Sequence, residues 1–515
     1  MRLVVAGILV VILLALLGLA ILRMVYPPPV PADRSSTALP PATHGPLAEG
    51  LRPLLEANPG LTGILPLSEG VDAFIARLAL VRAATTAIDA RYYIWHRDMT
   101  GLVLMRELLA AAERGVKVRL LVDDNGTPGY DAELAAFARH PNMDVRIFNP
   151  FMMRQPRLLN YAFDFFRLNR RMHNKSLTVD GLATIVGGRN VGDEYFAAGD
   201  SLFVDLDVLA VGDAVGAVTR DFDDYWASPS AIPADTVLGA GHASTDGLLR
   251  DADRQLKAQA FMDYRQALAE SGLIRRMAAG EDIFRWRKAR LHSDDPAKGQ
   301  GPVPEDRLLI ARLFEGIGEP ATSLNLVSPY FIPGRIGAAA LTDWADRGVR
   351  VAVLTNSLEA TDVTAVHAGY AKYRKDLLKA GIGLFELRRE TGVPGGRGRL
   401  GLSGSSASSL HAKTFSVDGR NIFVGSFNFD PRSALLNCEM GLVIEDAALA
   451  GELDKAFGDT VPAAAWAVSL EEGDTLLWHG EEKGRTVTRD DEPGGSLMRS
   501  VMLTVIGWLP VEWLL

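Results

Sequence analysis

Two stretches of the chain carry the same set of reactive side chains at the same spacing. In each, a histidine is followed two positions later by a lysine and seven positions later by an aspartate, and a stretch of small residues then leads to an asparagine. A single His-x-Lys pair would carry little information, but two copies with identical internal spacing indicate one shared chemical task. The two sets are His173, Lys175, Asp180, Gly188 and Asn190, and His411, Lys413, Asp418, Ser426 and Asn428.

These residue types suit chemistry on a phosphodiester. Lysine ammonium groups neutralise the nonbridging phosphate oxygens, and asparagine amides donate hydrogen bonds to them. One histidine can attack phosphorus to form a phosphohistidine, while the other protonates the leaving alcohol and later deprotonates the incoming one. The sequence has no cluster of His, Asp and Glu at the spacing of metal ligands. We therefore expect a site that works without a metal or another cofactor.

The alternation of side chains along a strand brings the histidine and lysine of each copy together. Residues i and i+2 point to the same side of a strand. His173 therefore shares a face with Lys175. In the second copy, His411 shares a face with Lys413 in the same way. We predict that both pairs point into one cavity.

Each copy continues into a predicted hairpin. The Asp-Gly pairs at 180–181 and 418–419 favour tight turns, and the apolar residues behind them predict a returning strand. Asp180 and Asp418 are part of the catalytic motifs, and we expect them to hold these turns. The small residues at the end of the returning strand allow a phosphate oxygen to approach backbone N–H groups. The predicted phosphate-binding residues are Gly188, Asn190, Ser426 and Asn428.

A histidine that reacts through one ring nitrogen needs an acceptor for the other nitrogen, which is normally a carboxylate. Two acidic residues occupy similar places downstream of the two hairpins, Asp207 in the first copy and Glu439 in the second. We predict that these two carboxylates orient the catalytic histidines.

The segments ahead of both copies follow one plan. Each has an apolar strand, a helix that stops at an Arg-Gly pair, and a second strand. The order strand, helix, strand implies βαβ units with parallel pairing, so we expect an α/β protein made of two homologous halves. The predicted segments are 88–94, 102–113 and 116–122 in the first half, and 324–332, 337–346 and 349–354 in the second.

Composition sets broad limits on the class of protein. The chain has 515 residues, 48% of them hydrophobic and 23% charged, which is ample for buried cores. Its formal net charge of −9 argues against a protein whose main task is to coat nucleic acid. Cys438 is the single cysteine, which excludes an intrachain disulfide and a cysteine-based zinc site.

Both ends of the chain point to a membrane. Residues 3–22 form an uncharged, mostly aliphatic stretch between Arg2 and Arg23, about the length that crosses a ~30 Å hydrocarbon layer as a helix. A cleaved signal peptide is the alternative, although no typical cleavage site precedes the prolines at 27–29. The apolar stretch 498–515 is too short to span, and it either lies at the headgroup layer or docks on the core.

The segment 158–172, directly ahead of the first catalytic histidine, mixes aromatic and aliphatic residues with arginines. Beside a phospholipid site, this composition favours an apolar lip with cations for anionic headgroups. The alternative is an ordinary helix with a buried aromatic side. The arginines concerned are Arg157, Arg167, Arg170 and Arg171.

The duplicated His-x-Lys-x4-Asp segment, with the Gly-Gly/Ser-x-Asn segment that follows it, resembles the phospholipase D superfamily. Within that superfamily, further segments look like bacterial cardiolipin synthases of the C type. The similarity covers the chain from residue 50 onward and leaves the anchor outside. The segments are Asn-Arg-Arg-Met-His at 169–173, Thr-Asp-Val at 361–363, Asn-Phe-Asp-Pro-Arg-Ser at 428–433 and Leu-Pro-Val-Glu-Trp-Leu-Leu at 509–515.

The resemblance implies two tandem α/β/α sandwich domains, related by a pseudo-twofold axis, with one active site at their junction. It also implies that His173 is the nucleophile and His411 the general acid and base, which spacing alone does not decide. The expected division of the chain is a transmembrane anchor or signal segment at 1–25, a Pro-rich linker at 26–46, a first domain at 47–235, a connecting segment at 236–305, a second domain at 306–480 and an interfacial tail at 481–515.

The function that the resemblance implies is a phosphatidyltransferase that makes cardiolipin from phosphatidylglycerol and a second phospholipid, phosphatidylglycerol or phosphatidylethanolamine. We expect it in the bacterial inner membrane, with phospholipids and the membrane as partners and no nucleic acid. A hydrolytic phospholipase D is the alternative, and a nuclease or a non-catalytic lipid-binding scaffold is disfavoured. The residues leave open which side of the membrane the site faces and which protein partners it has.

Overall fold

The computed structural model describes residues 2–28, 38–199, 202–239, 243–279, 281–389, 408–471, 473–482, 485–495, 499 and 512–515. Part of the predicted linker, 29–37, and part of the predicted C-terminal tail, 483–484, 496–498 and 500–511, lie outside the described residues.

The described residues contain 21 strands, and the first nine of them lie before residue 235. They are β1 (Thr62–Leu67), β2 (Ala87–Ile94), β3 (Lys117–Gly126), β4 (Met143–Phe148), β5 (Ser176–Val179), β6 (Ala183–Gly187), β7 (Leu202–Val204), β8 (Asp207–Gly212), β9 (Ala231–Pro233), β10 (Arg285–Arg287), β11 (Ala289–Ser293), β12 (Ser323–Val327), β13 (Arg350–Asn356), β14 (Gly383–Leu387), β15 (Ser408–Leu410), β16 (Lys413–Val417), β17 (Asn421–Gly425), β18 (Met440–Glu445), β19 (Ala465–Glu471), β20 (Thr475–Glu482) and β21 (Arg485–Arg489).

The helices alternate with these strands. They are α1 (Arg2–Val25), α2 (Pro46–Ala57), α3 (Gly70–Ala83), α4 (Met99–Glu113), α5 (Asp131–Phe137), α6 (Asn160–Leu168), α7 (Asp213–Trp226), α8 (Ala234–Leu238), α9 (Asp246–Leu256), α10 (Gln259–Ala269), α11 (Gly272–Ala278), α12 (Leu309–Ile317), α13 (Gly334–Asp346), α14 (Thr364–Ala371), α15 (Arg374–Lys379), α16 (Pro431–Leu435), α17 (Ala447–Gly458) and α18 (Thr460–Ala464).

Two large sheets repeat one strand order. The first runs β10-β1-β8-β6-β5-β2-β3-β4-β9, and the second runs β11-β18-β17-β16-β12-β13-β14-β19-β20-β21. The succession from β1 to β9 in the first sheet therefore matches the succession from β11 to β19 in the second. The predicted parallel pairs, β2 with β3 and β12 with β13, are present in both. This repeat confirms the prediction of an α/β protein with two homologous halves.

The predicted hairpins form in both halves, between β5 and β6 and between β16 and β17. Asp180 and Asp418 both have a φ of 54°, and the glycines that follow them have φ of 65° and 61°. In both hairpins the strand register leaves three residues in the loop, and Asp-Gly accepts the two consecutive positive φ angles there with little strain.

The segment 236–305, predicted as a connection between the halves, is itself folded. It contains α9, α10 and α11 and supplies one edge strand to each sheet, because β10 pairs with β1 and β11 pairs with β18. Beyond the second half, β20 and β21 extend the second sheet, so this sheet continues past residue 480, where the tail was expected to begin.

A shared hydrophobic core joins the two sheets. It combines apolar side chains of β6 and β8 from the first sheet with those of β17 and β18 from the second, among them Val186, Val208, Val424 and Leu442. Burial of each such side chain is worth about 1.5–3 kcal/mol, so the two halves are held face to face. The ends of the strands that carry the catalytic motifs meet beside this core.

One helix is long and apolar enough to cross a membrane. Within α1, residues Val4–Val25 have a mean hydropathy of 3.2, and none of this stretch is buried against the rest of the protein. Its end nevertheless contacts α6, because Arg23 Nη1 donates a hydrogen bond to Phe163 O at 3.0 Å. Arg23 also lies 3.5 Å from an Asp164 carboxylate oxygen.

Candidate active site

Each catalytic histidine is held by the opposite half of the protein. His173 stands just before β5, and its backbone N–H donates to Cys438 O at 2.8 Å. His411 stands just before β16, and its backbone N–H donates to Val204 O at 2.8 Å. Both residues are buried, with 7% and 8% of their surface exposed. The two motifs therefore meet in one site at the junction of the sheets.

The carboxylates that hold the imidazole rings are also exchanged between the halves. Glu439 Oε2, from the second half, lies 2.8 Å from His173 Nδ1. Asp205 Oδ2, from the first half, lies 2.6 Å from His411 Nδ1. A carboxylate beside Nδ1 favours the tautomer with its proton on that nitrogen, which leaves Nε2 of each ring for chemistry.

The prediction that Asp207 orients a histidine is wrong. Asp207 is fully buried and pairs with Arg77, whose Nη2 donates to Asp207 Oδ2 at 2.8 Å. Strand register explains the error, because Gly187 lies opposite Asp207 in one sheet and Gly425 lies opposite Gly441 in the other. The residue equivalent to Glu439 is therefore two positions before Asp207.

Glu439, for which a contact with a histidine was also predicted, is held from several sides. Ser426 Oγ donates to Glu439 Oε2 at 2.5 Å. The backbone N–H of Glu439 donates to Asp294 Oδ2 at 2.9 Å, and Lys298 Nζ lies 2.9 Å from the same oxygen. This buried ion pair fixes the backbone from which the carboxylate extends.

The predicted phosphate contacts of Gly188 and Ser426 are wrong, because their backbone N–H groups are already used. Gly188 N–H donates to Leu206 O at 3.2 Å, and Ser426 N–H donates to Met440 O at 2.9 Å. Small residues are needed here for another reason. A Cβ on Gly188 would lie 2.1 Å from Asp205 Oδ1, so glycine makes room for the carboxylate that holds His411.

The two asparagines differ in whether their side-chain amides already have hydrogen-bond partners. Asn190 accepts from Ile94 N–H at 3.1 Å and donates to the Tyr195 hydroxyl at 3.0 Å. Asn428 is buried, and its Oδ1 has no hydrogen-bond partner among the residues that the structure describes. Among the described residues, Asn428 is therefore the one of this pair whose buried amide oxygen still lacks a hydrogen-bond donor.

Both lysines point their ammonium groups back toward the histidines. Lys175 Nζ donates to His173 O at 2.6 Å, and Lys413 Nζ donates to His411 O and lies 2.8 Å from His411 Nδ1. Across the described ranges, no carboxylate lies within ion-pair distance of either ammonium group. Burial lowers the pKa of Lys175 well below its usual value and that of Lys413 to about 8. Buried ammonium groups without a carboxylate partner are stabilised most strongly when a phosphate enters the site.

The two histidine–carboxylate pairs are electrostatically unequal. Burial lowers the pKa of His173 well below 6.5, and Lys175 and Lys413 add to the effect. Burial raises the pKa of its partner Glu439 to about 7. Burial also lowers the pKa of His411, although Asp205 opposes this shift. For Asp205 the effect of burial is outweighed by His411 and Lys413, which hold its pKa below the usual range.

Aromatic rings flank both imidazoles. Tyr93 lies edge-on to His173, with 5.1 Å between ring centroids. Tyr195 lies edge-on to His411 at 5.2 Å, Phe203 stacks on His411 at 5.0 Å, and these two aromatic rings contact each other at 5.0 Å. Asp205, Tyr195 and Phe203 were not predicted as site residues. The one available signal was the alternation Asp-Leu-Asp at 205–207, which offered two candidate carboxylates instead of one.

Asp180 and Asp418 lie at the hairpin turns, away from the imidazoles. Asp180 accepts from the backbone N–H groups of Thr85, Thr86 and Ala87, and Asp418 accepts from those of residues 321–323. Each carboxylate thereby ties its turn to the start of the neighbouring strand, which agrees with the expectation that these aspartates hold the turns.

The arginines of the predicted lip are used inside the protein and do not face headgroups. Arg157 pairs with Asp124, Arg167 with Asp164, and Arg171 with Asp123, while Arg170 donates to two carbonyl oxygens at 3.0 and 3.1 Å. Two apolar side chains of this segment do face outward, because Leu158 and Phe166 are 79% and 78% exposed.

In the described ranges, two groups of side chains have a geometry that could hold a metal ion. They are His96, Asp98 and Glu194, and His367, Glu386 and Glu492. Neither group includes a catalytic histidine. In the second group, Arg374 Nη2 lies 2.9 Å from His367 Nε2 and 2.7 Å from Glu492 Oε1, so a guanidinium already occupies the position a cation would take.

Two α/β domains that share one site with a duplicated His-Lys pair define an enzyme of the phospholipase D superfamily. Residues 78–226 and 313–461 each match the family model described as cardiolipin synthase, PLD-like domain. The chain belongs to this family, which confirms the resemblance found in the sequence.

Individual relatives agree with this assignment. Cardiolipin synthase C of Escherichia coli (strain K12) is 46% identical over 476 residues, covering 91% of this chain and 99% of that protein. Cardiolipin synthase A of Pseudomonas entomophila (strain L48) is 27% identical, covering 76% of this chain and 66% of that protein. Among solved structures, phosphatidylserine synthase of Haemophilus influenzae Rd KW20 has a TM-score of 0.50 at 15% identity, covering 81% of this chain and 91% of that one. This last similarity is one of fold.

Proposed function

We propose that the protein is a phosphatidyltransferase that makes cardiolipin from phosphatidylglycerol and a second phospholipid, either phosphatidylglycerol or phosphatidylethanolamine. The observation that carries this proposal is the pair of crossed histidine–carboxylate contacts, with two lysines beside them that form no ion pair with a described carboxylate. The identity to cardiolipin synthase C over most of both chains supports the choice of lipid substrates.

In the first half-reaction, His173 Nε2 attacks the phosphorus of the donor lipid. The bond from phosphorus to the headgroup oxygen breaks, and His411 gives its Nε2 proton to the leaving glycerol or ethanolamine. In the second half-reaction, His411 takes a proton from a hydroxyl of phosphatidylglycerol, whose oxygen attacks phosphorus. The bond from phosphorus to His173 breaks, and cardiolipin leaves.

The unequal electrostatics support this division of roles. A nucleophile must be neutral, and burial with two neighbouring lysines keeps the His173 ring uncharged. The acid must carry a proton, and Asp205, which remains ionised, raises the pKa of His411 against the effect of burial. The ammonium groups of Lys175 and Lys413 and the amide N–H2 of Asn428 would donate to the phosphate oxygens.

We further propose that the protein acts in the bacterial inner membrane, anchored by α1. The length and hydropathy of this helix support a membrane anchor. Membrane attachment fits substrates that are themselves bilayer lipids.

The test uses the purified full-length chain in vesicles of phosphatidylglycerol and phosphatidylethanolamine, with products followed by lipid mass spectrometry. His173→Ala and His411→Ala should both lose cardiolipin formation, whereas His44→Ala, which alters an exposed histidine, should keep it. Robust cardiolipin formation by either of the first two variants contradicts the mechanism. Free phosphatidic acid as the main product would favour a hydrolase, and activity lost to EDTA and regained with metal would contradict a metal-free site.

The roles of the histidines are separable with a donor that carries a nitrophenol leaving group. Nitrophenolate leaves without a proton, so His411→Ala should still form a covalent phosphohistidine. His173→Ala should form none. Adducts in His173→Ala and not in His411→Ala would reverse the assignment.

A further inference from the structure

Exposed apolar side chains from both halves gather where α6, α16 and the C-terminal residues meet. We call this set the collar, and it consists of Leu158, Phe165, Phe166, Leu435 and Trp513, with exposed fractions of 79%, 36%, 78%, 51% and 45%. Large apolar side chains at such exposure, gathered from several segments, mark an interaction surface.

The collar is continuous across the junction of the two halves. Arg432 of the second half donates from Nη1 to Asn169 Oδ1 at 3.0 Å and to Leu514 O at 3.1 Å. Asn169 directly follows α6, which carries Phe165 and Phe166. In addition, Arg170 Nη1 donates to Leu435 O at 3.1 Å. The C-terminal residues, α16 and the end of α6 are therefore fixed next to one another.

The collar is also connected to the site. The Tyr161 hydroxyl on α6 donates to Asn125 Oδ1 at 3.3 Å, and Asn125 Nδ2 donates to the Tyr93 hydroxyl at 3.3 Å. Tyr93 in turn lies against His173. A lipid whose acyl chains rest on the collar would have its phosphate close to this histidine.

The end of the anchor helix sets the level of the collar relative to the bilayer. Arg23, in the last turn of α1, bonds to Phe163 O and pairs with Asp164 of α6. Tyr26 packs near Phe163, with 6.4 Å between ring centroids. Because α1 leaves the hydrocarbon layer at this point, α6 lies at the membrane surface on the same side, where aromatic side chains are favoured.

We propose that the collar dips into the headgroup layer of the leaflet at the C-terminal end of α1, so that the active site opens directly onto this one leaflet. This inference rests on the proposed function only in that the substrates are bilayer lipids. It makes the collar, in addition to the anchor, the element that delivers substrate, because the anchor fixes the protein to the membrane but does not by itself turn the mouth toward it.

The first test measures local membrane contact and is independent of turnover. Cys438 is the single cysteine and is fully buried, so a cysteine introduced at the surface is labelled selectively. Phe166→Cys and the control Met262→Cys, at a 41% exposed site on α10, each carry a polarity-sensitive dye in phosphatidylglycerol and phosphatidylethanolamine vesicles. The dye at 166 should shift to the blue and be quenched by brominated lipid, and the dye at 262 should not. Identical aqueous emission at both sites overturns the proposal.

The second test compares rates on bilayers with rates on a monomeric short-chain phospholipid. Phe166→Asp with Leu158→Asp should lower the ratio of bilayer to monomer turnover on the order of tenfold or more, since two apolar side chains no longer enter the membrane. Met262→Asp should leave this ratio unchanged. An unchanged ratio in the double variant contradicts the proposal. If the chain made no cardiolipin at all, the proposed function would fail while the dye measurement still decided the collar.

Discussion

Asp205 and Asp207 lie two positions apart and are both fully buried. The same substitution should nevertheless affect catalysis at one position and stability at the other. Asp205 Oδ2 lies 2.6 Å from His411 Nδ1, whereas Asp207 Oδ2 lies 2.8 Å from Arg77 Nη2. Asp205→Asn should therefore impair the reaction, and Asp207→Asn should impair folding stability.

The expected loss in Asp205→Asn follows from the imidazole tautomer. The asparagine amide can donate to Nδ1 of His411, which moves the ring proton to Nε2 and removes the base at the nitrogen that faces substrate. General acid–base catalysis contributes about 10²–10⁴ in rate, and an aspartate-to-asparagine change behind a catalytic histidine in a serine protease lowers kcat by about 10⁴. We expect kcat to fall by about 10²–10⁴, which is about 2.7–5.4 kcal/mol of transition-state stabilisation.

The expected loss in Asp207→Asn comes from an unpaired buried charge. Arg77 is 1% exposed, so its guanidinium would lose its carboxylate partner with little access to water. Breaking a buried ion pair from one side lowers the free energy of unfolding by about 3–5 kcal/mol. Because Asp207 does not contact either catalytic imidazole, the folded fraction should keep kcat within a few-fold of the wild type.

The assay combines cardiolipin formation at saturating lipid with thermal unfolding followed by circular dichroism in the same detergent. These roles of Asp205 and Asp207 are refuted if Asp207→Asn abolishes kcat at unchanged Tm while Asp205→Asn retains normal activity. An Asp205→Asn variant with both a strongly lowered Tm and near-normal kcat per folded molecule would equally contradict a positioning role for Asp205.

Three further outcomes follow from the site and its turns. First, kcat/KM should rise and fall with pH, decreasing below about pH 7 as Glu439 gains a proton and above about pH 8 as Lys413 loses one; a flat profile from pH 6 to 9 contradicts this. Second, Asp180→Ala should lower the free energy of unfolding, measured by thermal unfolding, by about 1–3 kcal/mol and leave kcat nearly unchanged. A loss of kcat at unchanged stability would instead show that this carboxylate takes part in the reaction. Third, Gly188→Ala should lower kcat strongly, because the new Cβ would lie 2.1 Å from Asp205 Oδ1 and would displace this carboxylate. Gly50→Ala is the control, since a Cβ at Gly50 meets nothing within 4 Å, and its kcat should not change. Equal rates in the two variants would count against the close approach at Gly188.

Local patterns predicted a large part of the fold because local physics determines it. The two Asp-Gly pairs form the expected turns, since few other residue pairs accept two positive φ angles at low strain. The helices that stop at Arg-Gly and the strands that follow are present in both halves, as α4 with β3 and α13 with β13. In the structure the two motifs lie close enough together that Lys413 and His411 of the second motif act on the pKa of His173.

The errors concern contacts between residues far apart in the chain. Asp207 was chosen by its distance from the first motif, but the loop between Asn190 and β8 differs in length from the one between Asn428 and β18. The sequence identifies Arg167 and Arg171 as cations, but it does not show which carboxylates pair with them. Partner choice depends on which strand ends meet, and linear spacing does not record that.

The sequence by itself determined the chemistry: two histidines, two lysines and their spacing on alternating strands are sufficient to indicate transfer at a phosphodiester. Only the tertiary structure decided which carboxylate serves which histidine. The two halves face each other across a pseudo-twofold axis, so Glu439 reaches His173 and Asp205 reaches His411 from opposite sides. That exchange depends on the packing of one sheet against the other, because strand order sets the neighbours within a half but not those across the junction.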